Sequence, residues 1–119
     1  MLRSSNTAMY LIVKNMKVFI QSIDGIIINY PRKELIIKNR LLNDSLDILE
    51  LIYLANYHRD IKEKNNLQMK LLSKISMLDF YLERSYLNKY ISEKVFQNKC
   101  NQLNRITKMI YGWIKENES

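Results

Sequence analysis

Four cations in the closing stretch 92–115 have the spacing of a binding surface. Lys94, Arg105, Lys108 and Lys115 fall within about 80° of one another on a helical wheel that turns about 100° per residue. Nearly opposite them, Phe96, Cys100, Leu103, Thr107, Ile110 and Ile114 recur at steps of three and four, an apolar side for a core or a partner helix. A row of lysine and arginine along one helix side can neutralise an anionic ligand such as a phosphate backbone. It can equally be a solvated face. The net charge of +7 and a pI near 9.5 fit nucleic acid, an anionic membrane surface or an acidic protein as partner, or a basic protein with no polyanion partner at all.

No catalytic constellation accompanies the cations. His58 is the single histidine and stands at a joint between helical stretches beside Arg59, where a surface-loop histidine is the plainer reading. A di-metal site in a bundle needs inward Glu-x-x-His pairs, and the sequence has none. Asp44, Asp47 and Glu50 share one helix side and read as a solvated or salt-bridging face. Phosphate loop, GxSxG and CxxC motifs are missing. The expectation is a non-enzymatic chain with no catalytic residue, no metal site and no cofactor. Cys100 is the one cysteine, so no intrachain disulfide forms. Its place in the apolar stripe makes it a small hydrophobe, consistent with a reduced, cytoplasmic setting. The start of the chain reads as neither signal peptide nor membrane span, because Lys14 and Lys17 break its apolar run.

The elements that must position these residues are helices. With 119 residues, 47% of them hydrophobic, and only two glycines and one proline, the chain has material for one modest core and little for β-turns. After a frayed 1–6, a first helix over about 7–29 carries Met9, Ile12, Val13, Met16, Phe19, Ile20, Ile23, Ile26 and Ile27 as its stripe. Gly25 within it marks either a close backbone approach or a neutral accident. Pro31 ends that helix and suits the first turn of the next. The second, over about 31–56, has Leu35, Leu42, Leu46, Leu49 and Ile52 flanked by Ile37, Leu41, Ile48 and Ala55. This arc is wide enough for two neighbours or another subunit. A third over about 60–88 carries Leu67, Leu71, Ile75, Leu78 and Leu82, flanked by Leu72 and Phe80, with Asp60 or Asn65-Asn66 as its cap. The fourth, over about 93–116, starts at the N-cap Ser92 and is interrupted near its end by Gly112-Trp113. Short joints make neighbours alternate in direction, so the chain reads as one all-α domain, an up-down-up-down four-helix bundle with helices about 38 Å long.

Order and spacing of these features resemble one family. Tyr30-Pro31-Arg32-Lys33 opens the second helix, Ala55-Asn56 closes it, and a long leucine-rich third helix follows. The chain then ends in Arg105-Ile106-Thr107-Lys108-Met109-Ile110-Tyr111-Gly112-Trp113-Ile114. From about residue 8 to residue 115 it is similar to the four-helix-bundle proteins that include the accessory variability determinants of diversity-generating retroelements and the proteins encoded by ribosomal-RNA intervening sequences. Thr107 and Tyr111 stand where that family often has glycine. The resemblance implies a ring-like homopentamer, a basic barrel that binds reverse transcriptase and template RNA in support of mutagenic copying. The other branch implies a scaffold or protein-interaction module without a retroelement role. Arg32 and Lys33 match the family's Pro-Arg-Lys-type element, and Arg105 its basic residue before the Gly-Trp-Ile end. Lys38, Arg40, Lys70, Lys74, Lys94, Lys108 and Lys115 join them as RNA- or DNA-binding candidates on charge and helical side alone. The eight tyrosines could stack on bases, or cap the core with wet hydroxyls, the role expected of most of them.

Overall fold

The computed structural model describes residues 2–118, and their side chains from Thr7 onward. Local chemistry sets most boundaries. Helix α1 spans Leu2–Ile27; it includes residues 2–6, expected to fray, while Met1 lies outside the described residues. Pro31 stops it, but the next helix does not begin there. Arg32–Glu34 form a 3₁₀ turn, and α2 runs Leu35–Tyr57. Helix α3, Ile61–Leu87, is capped by Asp60, whose Oδ1 accepts the Lys62 N–H at 3.0 Å, so Asn65-Asn66 lie inside the helix. Helix α4 spans Glu93–Lys115, and Ser92 Oγ accepts the Val95 N–H at 3.1 Å; a last 3₁₀ turn covers Glu116–Glu118. At the end of α3, the Tyr90 N–H reaches the Ser85 carbonyl and the Lys89 N–H the Tyr86 carbonyl, both at 2.9 Å. This closure places Lys89 in the left-handed region at φ 63°, a position usually given to glycine.

Among the described residues these four helices, with no strand, make a four-helix bundle. Each packs on two others in the cyclic order α1, α2, α3, α4. The connections are too short to cross a body 46 Å long and 23 by 19 Å across, so consecutive helices run antiparallel. Ile12, Met16, Phe19 and Ile23 meet Leu41, Ile48, Ile52, Leu71, Leu78, Leu82, Leu103, Ile106, Ile110 and Trp113 in a core fully closed to solvent. Each such side chain contributes roughly 1.5–3 kcal/mol through its removal from water.

The inward faces differ from the periodicity in two helices. In α4 the buried line is Lys99, Leu103, Ile106, Ile110 and Trp113, with Phe96, Cys100, Thr107 and Ile114 half-buried beside it. The helix runs unbroken through Gly112, which is exposed, so Trp113 closes the core rather than interrupting the helix. In α2 the buried line is Leu41, Asp44, Ser45, Ile48, Ile52 and Ala55, while Leu35 and Leu46 stay exposed. An arc apolar on nearly every side has no preferred direction until its neighbours pack. Of the acidic side expected to be solvated or salt-bridging, Asp44 is buried and pairs with Arg40 at 3.7 Å, and Asp47 stays exposed and pairs with Lys74 at 3.6 Å. A Cβ on Gly25 would meet nothing within 4 Å, so that glycine serves no close approach.

Candidate nucleic-acid interface

Helix α4 presents the most uniform charged surface. Between Glu93 and Glu116 it has no acidic residue. Lys94, Arg105, Lys108 and Lys115 are all exposed, and so are the amides Gln97, Asn98, Asn101 and Asn104 between them. They point outward because the opposite side of the helix is committed to the core by Leu103, Ile106, Ile110 and Trp113. From Lys94 to Lys115 the row climbs about 31 Å at 1.5 Å per residue. Such a surface can hold successive phosphates by its cations, and amides can donate to phosphate oxygens or base edges. The fifth cation of the helix, Lys99, is turned inward and only 7% exposed. Its Nζ donates to Gln102 Oε1 at 3.1 Å, and burial lowers its pKa below the ordinary lysine value.

The ten candidate cations do not share one face. Arg32 and Lys33 are exposed on the turn before α2. Tyr90 Oη donates to Glu34 Oε1 at 2.8 Å and the Tyr30 and Tyr90 rings lie 5.4 Å apart, so this turn sits at the same end of the bundle as Lys94. Lys74 reaches across to Asp47 of α2 at 3.6 Å, which places it, with Lys70 one turn away, on the α2 side of α3. Arg40 is exposed and paired with Asp44, and Lys38 is half-buried on α2. Because α2 lies diagonally across the bundle from α4, Lys38, Arg40, Lys70 and Lys74 belong to a different surface from Arg105, Lys108 and Lys115. Among the described residues, Arg40 and Lys74 are the two of the ten that take part in ion pairs.

The same surroundings bear on the remaining titratable groups. Burial pushes the Cys100 thiol up, and the carboxylates of Asp79 and Glu83 on α3 push it further, which leaves it a weak nucleophile. Burial likewise raises the Asp79 carboxyl and the Tyr30 phenol; the nearby Ser85 hydroxyl offsets the latter in part, although it gives its own proton to the Tyr81 carbonyl at 2.8 Å. The described residues hold no group of three or more His, Cys, Asp or Glu placed for a metal ion. No helix among them is long and apolar enough to cross a membrane. The amides of α4 and the inward turn of Lys99 went unread in the sequence; the acid-free run 94–115 was the signal for the first, and nothing local signalled the second. Comparison with family models, with curated proteins and with solved structures finds no match for this chain.

Proposed function

We propose that this bundle is a non-enzymatic nucleic-acid-binding accessory protein, similar in role to the retroelement accessory determinants that bind reverse transcriptase and template RNA. The observation that carries the reading is the exposed, acid-free face of α4 with Lys94, Arg105, Lys108 and Lys115. Arg32 and Lys33 stand at the same end of the bundle as Lys94. Apolar exposure supports assembly into a ring, with a homopentamer as the form the resemblance implies. Leu35 and Ile36 are 57% and 78% exposed at the start of α2, and Leu46 and Leu54 are exposed further along it, more apolar surface on one helix than a solitary bundle needs. That surface also favours a second reading, a scaffold of the intervening-sequence type that binds another protein while its charge serves solubility.

Filter binding of RNA at low and moderate salt tests the first reading. Binding that weakens steeply with salt is expected, since phosphate contacts release counterions; undetectable or salt-insensitive binding refutes it. Light scattering reports the assembly, and a monomer ends the ring. A protein partner recovered after nuclease treatment, with no affinity for RNA, decides for the scaffold.

A further inference from the structure

Three tyrosines are largely exposed: Tyr10, Tyr57 and Tyr111. They differ in their surroundings. Tyr57 ends α2, and the residues three and four before it are Leu54 and Tyr53. Tyr10 has one cation within a turn, Lys14. Tyr111, 59% exposed, has Lys108 three residues before it and Lys115 four residues after it, both exposed. Residues at these separations are neighbours on a helix surface, about 5–6 Å apart at Cβ. The next residue is Gly112, where an added Cβ would meet nothing within 4 Å. An aromatic ring between two cations is the arrangement that holds one base by its face and the flanking phosphates by charge. In a duplex the bases are already stacked on one another, and such a ring has nothing to receive.

We infer that Tyr111 is a base-stacking platform, and that the α4 face takes single-stranded nucleic acid in preference to duplex. The inference rests on the proposed nucleic-acid binding and names its substrate class. Cations alone would bind a duplex at least as well, because its charge density along the axis is higher; the ring reverses that order.

The experiment measures filter-binding affinity of the full chain for three probes: a single-stranded RNA, the same RNA in a duplex, and a strand of equal length made of abasic sites. Wild type, Y111F, Y111L and Y111A are compared. Y111A and Y111L are expected to lose about fivefold or more on the single strand, with affinity for the duplex and the abasic strand unchanged, while Y111F stays near wild type. Thermal melts of all four should coincide, since the ring is outside the core. Equal losses on all three probes, no loss on the single strand, or a wild type that prefers duplex would overturn the platform while leaving binding by the α4 cations standing. A wild type that binds none of the probes at low salt overturns the proposed function and the platform together.

Discussion

The charge on α4 sets a number that binding must obey. If Lys94, Arg105, Lys108 and Lys115 each neutralise one phosphate of a single strand, log K should fall with log salt at a slope of about −2.8, from about 0.7 per phosphate. Between 50 and 200 mM salt the affinity then drops about 50-fold. Replacing Arg105 and Lys108 with Gln removes half the contacts. The slope should become about −1.4 and the drop over the same range about 7-fold. Both side chains are exposed, so the variant should melt as wild type does. A ring that engages several α4 faces multiplies both slopes and leaves their ratio near two. The control comes from the division of the cations by the fold. Lys70→Gln with Lys74→Gln lies on the α2 side of α3, where Lys74 already faces Asp47, and should leave the slope nearly unchanged. Filter binding over a salt series reads all three. An R105Q/K108Q slope equal to wild type, or a K70Q/K74Q slope that falls as far, refutes the assignment of binding to α4.

Three further outcomes concern the bundle itself. Trp113→Ala should cost about 3–5 kcal/mol in urea unfolding followed by circular dichroism, because the indole is fully buried; a cost under about 1 kcal/mol would mean that the end of α4 does not close the core. Lys99→Met should stabilise by about 1 kcal/mol near neutral pH, since among the described residues the buried amine donates to an amide oxygen and no carboxylate pairs with it. The folded pKa of Lys99 lies below the ordinary 10.5, so its penalty is complete below the folded pKa and relieved as pH rises from there toward 10.5. The stability difference between K99M and wild type should therefore shrink as pH rises through that window, and a difference that grows contradicts the burial argument. Lys89→Gly should raise stability by about 1 kcal/mol, because Lys89 holds φ 63° where an L side chain is disfavoured; a lower melting temperature would mean that its side chain contributes more than its backbone costs.

What could be read from the linear chain was whatever depends on near neighbours. Ser92 and Asp60 cap helices because their oxygens reach backbone N–H groups two or three residues on, and Pro31 ends α1 because it has no N–H to give. The stripe of α1 is narrow, so Ile12, Met16, Phe19 and Ile23 could face only one way, and they do. The run without acid in α4 is likewise a property of sequence, and its outward direction follows once Leu103 and Ile110 are assigned to the core. The tertiary structure decided the rest. The apolar arc of α2 admits several inward directions, and packing on both α1 and α3 selected Leu41, Ile48, Ile52 and Ala55, leaving Leu35 and Ile36 outside. Lys99 heads the inward line of α4, one turn before Leu103, and no local rule turns a lysine inward. The ten cations divide into separate surfaces because α2 and α4 stand diagonally across the bundle. Capping and periodicity act within a turn or two of helix, whereas which side faces in, and which charges share a surface, is settled by contacts between residues dozens of positions apart.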